Sequence, residues 1–237
     1  MAGSLQLMAE ITVISLGGSV VAPATGPDVD YLKKLVALLR RAAKGGRRMV
    51  LVIGGGAAAR QYIGAARSVE SRTTLAELDR LGIAATRLNA ELVRVALGPL
   101  AEPAVVADPT VVSRLKRPIL VAGGWKPGRS TDAVAVELAC RLGTKTVINL
   151  SNIAWVYDAD PRQNPQAKPI PRLTWSEFRR RFGGPWRPGK NAPFDPVAAR
   201  AAAKGDLRVI VADGRDLKNL VRLLDGKEGE GTVIGNR

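Results

Sequence analysis

The chain has 237 residues, 46% of them hydrophobic and 24% charged, enough to bury a full core as one large domain or two small ones. No apolar run nears the roughly 18 residues of a membrane span, and residues 1–10 lack the charged-then-apolar order of a secretory signal, so they read as a short tail. There is no histidine, which removes imidazole acid–base chemistry and the usual zinc sites, and the single cysteine, Cys140, excludes an internal disulfide.

Catalysis by such a chain must rest on carboxylates, Lys, Arg, hydroxyls, backbone amides and a hard metal. A lone thiol suits a reducing cytosol. Cys140 lies in an Ala/Val/Leu helix pattern and is expected to be a buried structural group. The net charge of +15 points to nucleic acid, to anionic phosphate substrates, or to solvated faces, and the last is preferred. Arg40, Arg41, Lys44, Arg47 and Arg48 cluster around one helix end, where cations suit the helix dipole, and Arg179, Arg180 and Arg181 follow another helix pattern. Aromatic residues are 4% and are not interleaved with these runs, which argues against a stacking platform for single strands.

In chain order, residues 11–16 form a short apolar run ending at Gly17-Gly18, a buried strand with a glycine turn. Residues 28–43 carry Leu32, Leu35, Val36, Leu38 and Leu39 at helical spacing. A second buried strand, 49–53, ends at Gly54-Gly55-Gly56 and leads into a helix over 57–67. A long amphipathic helix or helix pair covers 75–97. Short strands are expected at 104–107 and at 119–122, the latter ending at Gly123-Gly124. A helix over 131–142 and a strand over 145–150 follow. Residues 157–171, rich in Asp, Asn and Pro, read as an irregular loop or ribbon. Then come a short helix at 175–181 capped by Thr174, a Gly/Pro-rich loop at 182–191, an Ala-rich helix at 193–204, a strand at 207–212, a helix at 217–224 and a final edge strand at 231–234. This alternation predicts an α/β fold, a three-layer αβα sandwich with a mostly parallel central sheet. Ligands bind such sheets at the carboxyl ends of the strands, where glycines let backbone N–H groups approach phosphates.

Five stretches carry chemistry. Ser15-Leu16-Gly17-Gly18-Ser19 reads as a phosphate loop, with Gly18 and Ser19 donating to an anion, or as a plain strand-to-helix turn; it is neither a Walker A loop nor a dinucleotide fingerprint. Gly54-Gly55-Gly56 costs more unfolded-chain entropy than a turn requires, so close approach to a ligand explains it better, with Arg60 one helical turn in, where a guanidinium reaches a phosphate. Asp79 is either a partner for sugar hydroxyls or a solvated helix acid. Gly123-Gly124, with Trp125, Lys126, Pro127, Gly128, Arg129, Ser130, Thr131 and Asp132, combines an anion loop with a capped helix whose first turn holds an acid. Ser151-Asn152 and Tyr157 to Asp160 suit a base and ribose, or a solvated turn.

The order of these motifs, with Thr86-Arg87-Leu88-Asn89-Ala90, the run from Ser130 to Ala135, and residues 191–196 near the end, resembles the archaeal-type UMP kinases of the amino-acid kinase superfamily from about Ile11 to the C-terminus. The resemblance implies a single domain over 11–237, its acceptor-binding half at about 11–145 and its ATP-binding half at about 146–237. It implies transfer of the ATP γ-phosphoryl group to UMP, giving UDP, in cytoplasmic pyrimidine biosynthesis, with Mg²⁺ and a homohexamer. Gly55, Asp79 and residues Trp125 to Thr131 would bind UMP. Gly18, Ser19, Gly56 and Arg60 would bind ATP phosphates, and Ser151, Asn152, Tyr157 and Asp160 would line the ATP site. Asp132, Arg60 and Lys126 would be the catalytic groups, with Asp132 orienting the phosphate-binding residues. The attacking atom is an already anionic phosphate oxygen, so no strong base is needed, and catalysis becomes alignment and cancellation of repulsion.

Three positions, in two places, depart from the family pattern. Many members carry a lysine where this chain has Leu16, for which Lys126, Arg129 or Lys190 could substitute. The family usually has Asp-Gly where this chain has Ala154-Trp155. The alternatives are a kinase for another small phosphorylated acceptor, a nucleotide- or oxyanion-binding member that has lost turnover, and an RNA-binding protein.

Overall fold

A computed structural model describes residues 10–161, 163–183 and 193–236. Its elements are β1 Ile11–Leu16, α1 Gly18–Val21, α2 Val29–Lys44, β2 Arg48–Ile53, α3 Gly56–Val69, α4 Leu75–Leu97, β3 Ile119–Ala122, α5 Thr131–Arg141, β4 Thr146–Ser151, β5 Arg172–Thr174, α6 Trp175–Phe182, α7 Pro196–Lys204, β6 Arg208–Asp213, α8 Leu217–Leu224 and β7 Thr232–Gly235. The strands form one seven-stranded sheet in the order β3-β2-β1-β4-β6-β7-β5. All neighbouring pairs are parallel except β6 and β7.

The central strands are continuous apolar runs because both faces of the sheet are covered. Alternate side chains serve the two layers. Ile14, Leu16, Leu51, Ile53, Ile148 and Leu150 pack with α2, α4 and α8, while Val13, Val50, Val52, Val147 and Val209 pack with α5, α6 and α7. In the second layer Trp175 and Phe178 meet edge to face, centroids 6.1 Å apart. Helix starts are set by side-chain caps: Asp28 on α2, Ser130 on α5, Asp195 on α7, Asp216 on α8, and capping boxes at Thr74–Glu77 and Thr174–Glu177. Each is worth about 1 kcal/mol.

Several expectations are corrected. Residues 104–107 are not a strand; Val106 makes only an isolated bridge to Ala122, too little pairing for a ladder. The last strand is not at the edge, because β5, three residues preceded by a proline, pairs outside it. Cys140 is exposed rather than buried, since α5 buries Val134, Ala135, Val136, Leu138 and Ala139 and leaves position 140 on the outer side. The Ala-rich helix begins at Pro196, three residues later than expected. Most of the 182–191 loop lies outside the described residues. Part of the basic cluster is structural: Arg40 donates to Ala96 O at 2.7 Å, Arg47 to Leu224 O and, at 2.7 Å, to Asp225, and Arg48 to Leu115 O. These guanidiniums satisfy carbonyls that helices and loops leave unpaired. Among the described residues no helix is long and apolar enough to cross a membrane.

Candidate functional site

The three central strands β2, β1 and β4 end side by side, and their turns assemble the site. Gly17 N donates to Leu150 O at 2.7 Å and Gly54 N to Leu16 O at 2.9 Å, which seats each turn on the neighbouring strand. The two glycine turns then press backbone against backbone. A Cβ on Gly18 would stand 2.5 Å from Gly54 O, and one on Gly56 would stand 2.8 Å from Ala22 O. Gly56 also has φ +63°. The fold therefore demands these glycines for its own packing, in addition to any ligand they approach.

Between the turns lies a cleft of about 280 Å³. Gly55 is the N-cap of α3 and offers no side-chain cap; Ala57 N donates to Ala22 O at 3.3 Å, and the other first-turn amides of that helix suit an anion. Arg60 Nη2 donates to Ser19 Oγ at 3.2 Å, which holds the guanidinium at the rim with most of its donors unused. Thr131, Asp132, Ser151 and Asn152 complete the lining from the opposite wall.

Asp132, in the first turn of α5, is held from two sides. Ser15 Oγ donates to its Oδ1 at 2.9 Å, and the backbone N of Asp195 donates to its Oδ2 at 3.1 Å. Asp195 accepts in turn from Ser130 Oγ and, at 2.8 Å, from Val197 N. Burial pushes the Asp132 carboxyl up to about 6; the Ser15 hydrogen bond opposes this and the Asp195 charge adds to it. Ser15 and Asp195 fall within stretches read from the sequence but have no role assigned there, and Asn149 stands only as part of a strand. Ser15 faces the cleft because it alternates with Leu16, whose side chain is in the opposite core layer. Asn149 is brought in by β4, beside β1.

Helix α4 ties the loops together. Asp79 Oδ2 accepts from Gly128 N at 2.7 Å, and Thr86 Oγ1 accepts from Gly124 N at 2.6 Å. Arg87 donates to Gly124 O at 3.1 Å and Trp125 O at 3.0 Å, and Asn89 donates to Gly54 O at 2.9 Å and Gly55 O at 3.2 Å. Burial raises the Asp79 carboxyl and the Gly128 amide lowers it.

Of the residues singled out from the sequence, Gly18, Ser19, Gly55, Gly56, Arg60, Thr131, Asp132, Ser151 and Asn152 meet around this cleft. Asp79 holds the 125–130 loop from beneath. Lys126 lies over the Trp125 ring, 3.9 Å from its centroid, and Ser130 is turned to Asp195. Pro127, Gly128 and Arg129 belong to the same loop, outside the cleft lining. Tyr157 pairs with Pro169 in an isolated bridge and Asp160 O accepts from Gln163 N and Asn164 N; neither lines the cleft. Lys190 and residues 191–192 lie outside the described residues.

Among the described residues no three His, Cys, Asp or Glu side chains gather as a metal cage. A Mg²⁺ ion characteristically takes one or two carboxylates plus substrate phosphates, and the oxygen donors of Asp132 at the cleft suit that arrangement.

The comparisons with known proteins agree along nearly the whole chain. Residues 10–213 match the model of the amino acid kinase family. The chain is 37% identical over 228 residues to a uridylate kinase of Methanothrix thermoacetophila, covering 94% of this chain and 99% of that one. It is 36% identical over 226 residues to a uridylate kinase of Thermococcus onnurineus, covering 94% and 98%. The crystal structure of uridylate kinase from Archaeoglobus fulgidus superposes with a TM-score of 0.81 at 31% identity, covering 94% of this chain and 99% of that one.

Proposed function

The chain belongs to the amino acid kinase family, and from that premise we propose that it is a UMP kinase, moving the γ-phosphoryl group of ATP to UMP to give UDP and ADP. Its near-full-length likeness to uridylate kinases makes it a nucleoside monophosphate kinase. The observation that carries the reading is the meeting of an uncapped helix N-terminus, at Gly55 and Gly56, with the Arg60 guanidinium and the Asp132 carboxylate in one cleft.

In this reading the attacking atom is an oxygen of the UMP phosphate, anionic at neutral pH. Gly18, Ser19, Gly56 and Arg60 take the ATP phosphates, and Ser151, Asn152, Tyr157 and Asp160 take the remainder of the nucleotide. Gly55 and the 125–131 loop, held by Asp79, take UMP. Asp132 keeps Ser15 and the Asp195 backbone in register at the floor. Lys126 leaves the Trp125 ring for the transferring phosphate. What these groups supply is alignment and cancellation of charge between two anions. Asp132 would hold Mg²⁺ together with the substrate phosphates, where the ion would supply further charge neutralisation. Residues 11–145 serve the acceptor and 146–237 serve ATP within one domain, and the enzyme works as a cytoplasmic homohexamer.

The test is ADP release with ATP and Mg²⁺ across UMP, CMP, dUMP, AMP and GMP. UMP-dependent turnover well above the others supports the reading. Binding of ATP without turnover of any acceptor sinks it and leaves a nucleotide-binding member of the same fold.

A further inference from the structure

A second hollow lies at the opposite edge of the sheet, where β4, β6 and β5 begin and β7 ends. The six residues of β4 separate it from the cleft by about 17 Å. It has a volume of about 700 Å³, and Lys145, Arg172 and Arg208 line it. An adjoining hollow of about 520 Å³ shares Thr174 and Asn236 with it and adds Arg179, Arg200 and Lys204.

The two acids that line these hollows are already engaged. Glu177 closes the capping box of α6, accepting from Thr174 N and Thr174 Oγ1, both at 2.8 Å. Asp206 accepts from Asn236 Nδ2 at 2.9 Å. Among the described residues, none of the six cations is in an ion pair. Lys145 donates once, to Gly205 O at 3.2 Å, and Arg208 makes a long bond to Thr146 Oγ1 at 3.3 Å. A solvated basic face needs no concavity, yet these charges ring a floor that includes Leu173 and Val233. Converging like charges repel until an anion joins them.

We infer that these hollows bind a small anion carrying several phosphate groups, either a nucleoside triphosphate or a free oligophosphate. The volume lies within the roughly 300–1,000 Å³ of small-molecule sites. Single-stranded nucleic acid fits less well, because Trp175, the aromatic residue of these walls, is 1% exposed and offers no stacking face.

The experiment is calorimetric titration of inorganic tripolyphosphate, and separately of GTP, into the wild-type chain, Arg60→Ala, and Arg172→Ala/Arg208→Ala. Arg172 and Arg208 are exposed, and circular dichroism checks that the double variant folds. A tripolyphosphate site retained in Arg60→Ala and weakened at least tenfold in the double variant supports the inference. GTP binding tighter than tripolyphosphate at that site identifies a nucleotide, and equal binding identifies a free oligophosphate. Loss of all tripolyphosphate binding in Arg60→Ala, or undiminished binding in the double variant, overturns it. So does a 12-nucleotide single-stranded RNA that binds more tightly than both and is lost in the double variant. The titration does not use UMP turnover, so its outcome is separate from that of the proposed activity.

Discussion

Ser15 and Asp132, 117 positions apart, are joined by a 2.9 Å hydrogen bond across the floor of the cleft. The carboxylate it holds has a pKa raised to about 6 from an ordinary value of 3.8, chiefly by burial. The folded chain therefore binds this proton more tightly than the unfolded one. The stability from this group is complete below pH 3.8 and is lost as pH rises through about 6. Asp132→Asn removes that dependence, so unfolding by denaturant across pH 4 to 7 should give a flatter stability profile. The activity profile should lose its acid limb near pH 6, with a large loss of kcat. An unchanged acid limb would assign that limb to another group.

Arg60 is exposed and donates a hydrogen bond to Ser19. Arg60→Ala should leave the melting temperature unchanged and lower kcat/KM for ATP by about 10²-fold, the usual loss on removing one donor from a developing charge. Steady-state kinetics with varied ATP measures this.

Asp79 acts through the Gly128 amide. Asp79→Ala should raise KM for UMP about tenfold, the equivalent of about 1.4 kcal/mol for a charge-assisted hydrogen bond. Asp79→Asn keeps an acceptor oxygen and should recover most of the loss. Failure of asparagine to rescue would mean that the charge itself meets the substrate.

The Gly18 Cα hydrogens face the Gly54 carbonyl and the Gly56 amide. Gly18→Ala should destabilise the fold by at least about 3 kcal/mol, since backbone, unlike a side chain, cannot swing aside. Gly45→Ala, with φ −75° and no neighbour closer than 3.4 Å, should change stability by less than about 1 kcal/mol. Chemical denaturation of the two variants compares them directly.

Arg40 and Arg47 satisfy the carbonyls of Ala96 and Leu224. Replacing either with alanine should cost about 1 kcal/mol, a fall in melting temperature of about 2–4 °C. Turnover should be unaffected, and calorimetry beside the kinetic assay tests both statements.

Much of this architecture could be read along the chain. β1, β3, α4 and α8 have their expected bounds, because an apolar run closed by glycines, or a capped 3.6-residue period, is a local signal. The cleft was visible for the same reason: the glycines that form it follow strands. What escaped was non-local. Asp195 is 63 positions from the carboxylate it braces, and only the packing of α7 on α5 brings them together. β5 has three residues and no pattern of its own, and it exists because β7 offers it an edge. The reach of Arg40 and Arg47 to distant carbonyls has no sequence period at all.

The contact between the glycine turns bears on the order of folding. In the folded chain each turn is the wall against which the other packs. They meet only after β1 and β2 have paired in register, Leu16 opposite Ile53. The cleft is thus absent from either segment in isolation and from any partly paired sheet. The phosphate-facing turns of the cleft are complete only when that pairing is complete.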